Sequence, residues 1–419
     1  MMERQYKDSG IEWIGRIPEG WETCQLKRLL SFRNGQDYKL VESETGYPVY
    51  GSGGIFVHAS EYLYDGEAVL FGRKGTIDRP IYVNEKFWTV DTMYYAIPLS
   101  TGDGKFVYYL GTLLPFNKYQ TSTALPSMTQ TILGDMKVIL PPLPEQQRIA
   151  SYLDKKCEEI DELIALQEKM IEQLTEYKQA VITEAVTKGL DPNAKLVPSG
   201  IEWIGDVPEG WKVVPIKFLK SSVKNAFVDG PFGSNLKSEH FIVEGDILVI
   251  ESGFITTGKF IFKEFKTISS EHFETIRRSE CRAHDVIIAK IGANYGMASE
   301  LPELGKPAVV SGNSLKITLD NSKILNSIFV YLMMTSKHNH GFIDLVQENA
   351  QPALSLSGLN NFKLPVPPLP EQHSIASYLD TKCSEIDSLI ALKRQKIESL
   401  NAYKKSVIYE AVTGKTIIE

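Results

Sequence analysis

The feature that most constrains this chain is an internal duplication. Residues 141–187 recur as residues 367–413, shifted by 226 positions without a gap, and 32 of the 47 positions are identical. A shorter stretch, residues 9–21, returns as residues 199–211 with a shift of 190 positions. We call these the long repeats and the short repeats. The chain therefore runs short repeat, variable block, long repeat, and then the same three again, which predicts two different surfaces on one duplicated frame.

Each long repeat is predicted to form one helix of about 40 residues, roughly 60 Å long. Pro144 and Glu145 suit a first helical turn, and Gly189 and Gly414 suit the helix ends. Between them, apolar residues recur at alternating steps of four and three, a pattern typical of a coiled coil. The predicted apolar seam consists of Leu153, Ile160, Ile164, Ile171, Leu174, Val181, Leu379, Ile386, Ile390, Ile397, Leu400 and Val407.

Neither helix can bury such a stripe alone, so we expect the two helices to pair with each other as an antiparallel coiled coil. That pairing would relate the two halves of the chain by a pseudo-two-fold axis. The alternative is that each helix packs separately on its own variable block.

The variable blocks, residues 22–140 and 212–366, are predicted to be globular α+β domains. Each contains a strand-like apolar run that ends in a basic, Gly-rich turn, at residues 69–75 and 286–292. Pro126 and Pro352 match in the same register as the long repeats. Helical patterns at residues 106–114 and 324–334 lie among short alternating strands, a mixture that favours an α+β fold.

Composition gives no single indication of a partner. The net charge of −7 argues against a nucleic-acid partner, but the first block has 11 basic against 12 acidic residues and the second 17 against 15. Local basic patches on the blocks are therefore compatible with binding DNA. The four cysteines form no CxxC pair, and no apolar run approaches the ~18 residues of a membrane helix. We expect a cytoplasmic protein with no membrane partner.

Polar, basic and aromatic residues are concentrated in the predicted turns of both blocks. Asn, Gln, Arg and Lys side chains read base edges or bind phosphate, although each of these residues taken singly is more typical of a turn formed for backbone reasons. The DNA-binding candidates are Ser52, Arg73, Lys74, Tyr119, Gln120, Ser122, Asn235, Lys237, Lys290, Asn294, Tyr295, Asn313 and Gln351.

The sequence shows no constellation that predicts catalysis, a metal site or a cofactor. The Asn/Asp-Pro-Pro-aromatic motif that grips a flipped base is absent. The glycines at positions 51–54 do not fit a dinucleotide fingerprint, and Tyr409 stands where a phosphate loop ending at residues 414–416 needs its first glycine. We therefore expect a non-catalytic chain without a cofactor.

The PPLPEQ start of the long repeats, the GIEWIG and PEGW letters of the short repeats, and the YGSGG and FGRKG segments resemble the specificity subunit of type I restriction–modification enzymes. The resemblance covers essentially the whole chain. It implies that the blocks are target recognition domains, each reading one half of a bipartite sequence in double-stranded DNA. It also implies that the helices set the spacer and dock two DNA adenine methyltransferase subunits. Those subunits carry S-adenosylmethionine, and nuclease–translocase subunits join the assembly.

The resemblance predicts four segments. Residues 1–140 would hold the short repeat and the first recognition domain, 141–188 the first helical spacer, 189–366 the linker, second short repeat and second recognition domain, and 367–419 the second helical spacer. Two other functions remain open. One is the specificity subunit of a two-part restriction enzyme whose partner both methylates and cuts, and the other is a coiled-coil adaptor that binds protein or glycan instead of DNA.

Overall fold

The computed structural model describes residues 4–119, 126–255, 258–346 and 352–418. Its contacts divide the chain into two units, residues 1–169 with 393–419 and residues 170–392. Each unit holds one variable block, one short repeat and part of each long repeat. Strands and helices occur in both blocks, so the expected mixed α/β character is confirmed.

The first unit is built on a seven-stranded sheet. Its strands and those of two small pairs are β1 (Tyr6–Asp8), β2 (Arg16–Pro18), β3 (Glu22–Gln25), β4 (Leu30–Asn34), β5 (Glu42–Ser43), β6 (Tyr47–Gly51), β7 (Gly54–Ala59), β8 (Tyr64–Gly72), β9 (Ile81–Thr89), β10 (Met93–Pro98) and β11 (Lys137–Leu140). The sheet order is β4-β10-β8-β9-β6-β7-β5, with only β6 and β9 parallel among the neighbours. Strands β1 and β2 form one antiparallel pair, and β3 and β11 form another.

Two short helices cover this unit's core, α1 (Gly104–Gly111) and α2 (Gln130–Asp135). Each begins at a side-chain cap: Asp103 accepts a hydrogen bond from Phe106 N, and Thr129 accepts one from Ile132 N. The apolar face of α1 joins the buried core that contains Phe71. The first long helix, α3 (Leu143–Lys188, 46 residues), starts in this unit.

The second unit has two four-stranded sheets instead of one larger sheet. Its strands are β12 (Leu196–Pro198), β13 (Asp206–Pro208), β14 (Lys212–Pro215), β15 (Phe227–Asp229), β16 (Ile247–Ile250), β17 (Lys266–Ile268), β18 (Glu280–Cys281), β19 (Val286–Ala289), β20 (Ala298–Glu300), β21 (Ala308–Val310), β22 (Ser314–Ile317) and β23 (Lys363–Val366). The sheet orders are β15-β22-β19-β20 and β17-β16-β21-β18, and β12–β13 and β14–β23 form separate pairs.

The helices of the second unit are α4 (Ser270–Ile276), α5 (Asn326–His338) and α6 (Leu356–Asn361). The second long helix, α7 (Leu369–Val412, 44 residues), starts in this unit. Short 3-10 turns in the two units occur at Leu26–Arg28, Phe116–Lys118, Ile216–Phe218, Ser238–His240, Ser252–Phe254, Arg277–Ser279 and Ile343–Leu345. The helices predicted at residues 106–114 and 324–334 are confirmed as α1 and α5, with ends shifted by a few residues.

In the first unit, the start of α3 packs with the end of α7. Leu153 and Cys157 belong to the same buried core as Val407 and Ala411. One turn further along α3, Asp161 accepts hydrogen bonds of 2.7 and 2.5 Å from the Lys404 ammonium. Higher residue numbers in α3 thus meet lower numbers in α7, which is the order of antiparallel segments.

The second unit repeats this arrangement with the roles of the helices exchanged. Val181 and Ala185 of α3 share a core with residues of α7. Lys178 of α3 donates a 2.6 Å hydrogen bond to Asp387 of α7. Lys178 and Asp387 occupy the repeat positions of Lys404 and Asp161. All twelve predicted apolar seam residues are buried or half-buried.

Candidate nucleic-acid interface

The basic turn after β8 is held in place by backbone hydrogen bonds. Arg73 N donates to Thr92 O at 2.8 Å, and Gly75 N donates to Pro126 O at 3.0 Å. Met128 N donates back to Arg73 O at 3.0 Å, and Lys74 forms an isolated β-bridge with Ser127. The turn is therefore fixed to the segments before β10 and before α2.

The turn after β19 in the second unit has the same bonds at the matched positions. Lys290 N donates to Asn313 O at 2.9 Å, Gly292 N to Pro352 O at 3.1 Å, and Leu354 N to Lys290 O at 2.9 Å. Ile291 forms the corresponding β-bridge with Ala353. Arg73 and Lys290 are thus equivalent in structure, although little of the surrounding sequence is shared.

A second loop approaches the same edge of each sheet. Gly35 follows β4 and donates to Met93 O, while Gly230 follows β15 and donates to Ser314 O, both at 3.0 Å. A Cβ atom at Gly35 would lie 2.0 Å from Val90 O, and one at Gly230 would lie 1.9 Å from Ser311 O. Only glycine allows these backbones to approach so closely. The turn after β8, the loop before β10 and the loop after β4 therefore meet at one edge of the first unit's sheet. In the second unit the turn after β19, the loop before β22 and the loop after β15 meet in the same way, and we call each set the three loops.

In the first unit this edge presents two exposed cations, Arg73 and Lys74. The Arg73 guanidinium has a long 3.4 Å hydrogen bond to Asp91 O. Ser52 is half-buried at the turn between β6 and β7, and Tyr50 O in the preceding strand accepts from Val90 N at 3.1 Å. The Ser52 hairpin thus borders the same edge through its strand β6.

In the second unit, Lys237, Lys290 and Asn313 line one concave surface. The Lys290 ammonium lies 3.5 Å from the Asp229 carboxylate, and its side chain is only 18% exposed. Arg278 donates to the other oxygen of Asp229 at 2.8 Å. Lys290 is therefore partly neutralised and less available to a phosphate than Arg73 or Lys74.

The turn that contains Asn294 and Tyr295 is held in place by the side chain of Lys337, which lies in helix α5. The Lys337 ammonium donates to Ala293 O at 2.6 Å and to Tyr295 O at 2.9 Å, and it lies 3.9 Å from the centre of the Tyr295 ring. Burial lowers the pKa of Lys337. Asn294 itself is exposed at the tip of this turn.

The remaining candidates are more scattered. Asn235 is exposed, and its carbonyl oxygen is 2.9 Å from His272 Nε2. Tyr119 lies beside Glu12 and Lys118 in a depression that includes neither Arg73 nor Lys74. Gln120, Ser122 and Gln351 lie outside the described residues.

Sequence reasoning missed the contacts that attach the blocks to the long helices. Trp21 Nε1 of the first short repeat donates to Glu145 at 2.8 Å, and Trp211 Nε1 of the second donates to Glu371 at 2.9 Å. All four residues are identical between the repeats, so that identity was the available signal. The short repeats are therefore clamps on the first turn of each long helix.

The glutamine that follows each of these glutamates is fully buried and binds backbone atoms only. Gln146 accepts from Asp103 N at 2.9 Å and donates to Thr101 O at 3.0 Å and Pro141 O at 2.9 Å. Gln372 makes the same three bonds, to Leu325 N, Lys323 O and Pro367 O, at 2.8–2.9 Å. Each glutamine thus fixes the start of α1 or α5 to a long helix.

A tyrosine from each block also contacts a long helix. Tyr109 donates to Asp154 at 2.9 Å, and Tyr331 donates to the matched Asp380 at 3.2 Å. Burial is the main reason that the pKa of both phenols is raised.

Asp387 lies where the two long helices pack in the second unit. Burial acts to raise its pKa, but hydrogen bonds from Lys178 and Lys259 outweigh that effect and hold the pKa below its usual value.

In the part of the chain that the structure describes, no group of three or more His, Cys, Asp or Glu side chains is placed to hold a metal ion. Over the same residues, none of the helices combines the length and the apolar character needed to cross a membrane.

Comparison with known proteins places these features in a family context. The family model for the type I restriction modification DNA specificity domain matches residues 18–176 and 233–402. The type I restriction enzyme MjaVIII specificity subunit of Methanocaldococcus jannaschii is 25% identical over 437 residues, which cover 96% of this chain and 94% of the relative. The EcoBI specificity subunit of Escherichia coli is 23% identical over 431 residues, with 97% and 89% covered.

One solved structure is similar in fold over nearly the whole chain. It is described as the structural basis underlying complex assembly and conformational transition of the type I R-M system. The similarity has a TM-score of 0.68 at 16% sequence identity, and it covers 96% of this chain and 99% of the other.

Proposed function

Because the chain belongs to the type I restriction–modification DNA specificity family, we propose that it is the DNA-recognition and scaffold subunit of such a complex. Each recognition domain reads one half of a bipartite target in double-stranded DNA. The chain carries no chemistry of its own. Two DNA adenine methyltransferase subunits bind to it and modify the target, and nuclease–translocase subunits join the same assembly.

The observation that carries this proposal is the matched pair of loop edges. Two blocks of different sequence place Arg73 and Lys290 with the same set of backbone bonds. The residues around them differ, whereas the contacts through Glu145 and Glu371 are the same in both units. A constant frame that presents two different polar edges suits a protein that reads two different short sequences.

We also propose that α3 and α7 form one antiparallel coiled coil that sets the spacer between the half-sites. The matched Lys404–Asp161 and Lys178–Asp387 contacts support this, because a single antiparallel register accounts for both. Charged side chains in a coiled-coil seam fix register, which a spacer device requires.

The long helices also offer matched surfaces for two copies of one partner. Leu163 and its repeat equivalent Leu389 are 47% and 46% exposed, and Leu166 and Leu392 are 47% and 60% exposed. Exposed leucines at equivalent positions of a duplicated frame suit the docking of two identical subunits. We assign these faces to the methyltransferase subunits.

The two other functions differ in what they require of the loop edges. A two-part restriction enzyme would use the same edges with a partner that both methylates and cuts. A coiled-coil adaptor for protein or glycan would not require exposed cations at the matched turn of the first unit. The exposure of Arg73 and Lys74 favours DNA recognition over the adaptor function.

Replacing these cations tests the assignment directly. In the assembled complex, we expect Lys74→Ala to weaken binding to all duplexes alike, because a phosphate contact is lost. The slope of the logarithm of the binding constant against the logarithm of the salt concentration (the salt slope) should fall in magnitude by about one. We expect Arg73→Ala to relax discrimination at one base pair of one half-site, at about 1–3 kcal/mol. Lys290→Ala should weaken binding less than Lys74→Ala does, because the Lys290 ammonium is already paired with Asp229.

Equilibrium binding measured at several salt concentrations separates these outcomes. Lys27→Ala is the matched control, because Lys27 is an exposed cation of the first unit that pairs with Asp135 away from the three loops. Unchanged affinity and specificity in all three loop variants would reduce the two turns to a structural role.

A further inference from the structure

The candidate interface of the second unit contains an exposed aromatic side chain that the proposed function does not yet use. Phe232 is 67% exposed, and it lies on the concave surface with Lys237, Lys290 and Asn313. Single exposed apolar side chains are common on protein surfaces, so what distinguishes Phe232 is its position among the polar and basic residues of this candidate interface.

The backbone that carries Phe232 is closely supported. Gly230 packs on Ser311 O so tightly that a Cβ there would lie 1.9 Å from that oxygen, and a Cβ at Gly312 would lie 2.7 Å from Pro231 O. Pro231 is buried, and Phe232 O accepts a 2.7 Å hydrogen bond from Asn235 N. The proline, the turn bond and the close glycine contacts together hold the backbone at Phe232 in one conformation.

A basic side chain lies close to the Phe232 ring. The Lys290 ammonium lies 5.9 Å from the centre of the Phe232 ring. Proteins that stack aromatic rings on bases commonly combine those rings with a basic surface nearby. Because Asp229 holds Lys290 in place, the position of the ammonium relative to the ring is also fixed.

The first unit differs at the equivalent place. Two residues after Gly35, the glycine that matches Gly230, stands Asp37. Its carboxylate accepts a 3.0 Å hydrogen bond from Lys39 N, closing a local polar turn. The next residue, Tyr38, is half-buried and packs edge-on against Phe56, so an exposed ring at the position of Phe232 occurs in the second unit only among the two described loops.

We propose that Phe232 is a wedge that inserts at one base-pair step of the half-site read by the second unit. There it stacks on a base and partly unstacks its neighbour, while the Lys290 ammonium stays beside the ring in its contact with Asp229. This inference rests on the proposed DNA-recognition function. The wedge predicts that recognition of the second half-site depends partly on the free-energy cost of unstacking one base-pair step.

The test uses the complete complex and a duplex that carries the sequence assigned to it by modification mapping. The fluorescent base 2-aminopurine, whose emission rises when it is unstacked, is placed at each position of the second half-site in turn. We expect wild-type protein to raise the emission at one step apart from the methylated base. Phe232→Ala should abolish that rise and weaken binding by roughly 5-fold to 150-fold, the value of one base–aromatic stack.

Two further variants make the result specific. Phe232→Trp should retain both the signal and the affinity, and the salt slope should stay unchanged in both Phe232 variants because no phosphate contact is lost. Phe218→Ala is the matched control: Phe218 is 58% exposed with Lys217 5.4 Å from its ring, but it lies on a 3-10 turn outside the three loops.

The possible outcomes separate this inference from the proposed function. Wild-type affinity in Phe232→Ala, an equal loss in Phe218→Ala, or a loss without any position-specific change in emission would each overturn the wedge while leaving DNA recognition by the chain intact. Failure of the wild-type complex to bind the mapped duplex at all would instead overturn the proposed function.

Discussion

Exchange of residues 22–140 for the equivalent block of a relative is expected to replace one half of the recognised sequence and leave the other half unchanged. The frame accepts a foreign block because Gln146 binds it through backbone atoms, at Asp103 N and Thr101 O. The Trp21–Glu145 clamp lies outside the exchanged residues. The incoming block must still supply side chains that bind the frame, among them Tyr109 and Lys105, which both donate to Asp154.

The expected effect of this exchange is large. Each mismatched base pair costs about 1–3 kcal/mol, and a specific site is bound roughly 10³- to 10⁷-fold more tightly than random DNA. Losing one half-site should therefore abolish modification of the original target. Mapping of modified bases would show the new half joined to the old one. The reciprocal exchange of residues 212–366 is the control and should change the other half. A change in both halves, or in neither, would contradict the assignment of one block to one half-site.

Insertion of four residues in α3 between Glu168 and Glu176 is expected to lengthen the spacer and keep both half-sites. The insertion point lies between the contacts of Asp161 and Lys178, so it lengthens that part of α3 by about one turn relative to the facing part of α7. Four residues add about 6 Å of helix, which corresponds to about two base pairs of DNA. They also make nearly one turn, so the apolar seam keeps its face. Because α7 is unaltered, sliding of that helix would reduce the response to one base pair, and we therefore expect a spacer that is longer by about one or two base pairs.

The spacer in the insertion variant can be determined by modification mapping. A two-residue insertion at the same place is the control, because it turns the seam by about 200° and should abolish activity. An active four-residue variant that still modifies sites with the original spacer would show that the helices do not set the distance.

The parts of this fold that the sequence predicts are those with a repeat or a period. The seam from Leu153 to Val181 recurs every three or four residues, and Gly189 and Gly414 mark the ends, so α3 and α7 were predicted closely. The equivalence of Arg73 and Lys290 was also accessible, since both follow an apolar strand in a matched turn. Local pattern is sufficient for such features.

The parts that were not predicted depend on contacts between residues far apart in the chain. The order of the seven-stranded sheet and the division of the second unit into two sheets arise from short strands without a distinctive period. The pairing of Lys290 with Asp229 crosses between two loops, so the sequence overstated how available this lysine is. Phe232 was passed over because a phenylalanine between a proline and a glycine gives no sign of whether it will be buried or exposed.

The central claim, that this chain selects a bipartite DNA sequence for its partners, is tested most directly by mapping modified bases across the host genome. The map is compared between a strain with this gene, a strain in which it is deleted, and the deleted strain complemented with the intact gene. The account predicts a two-part motif with modified adenines that disappears on deletion and returns on complementation. An identical set of modified adenines in all three strains, with the partner methyltransferase present, would contradict it.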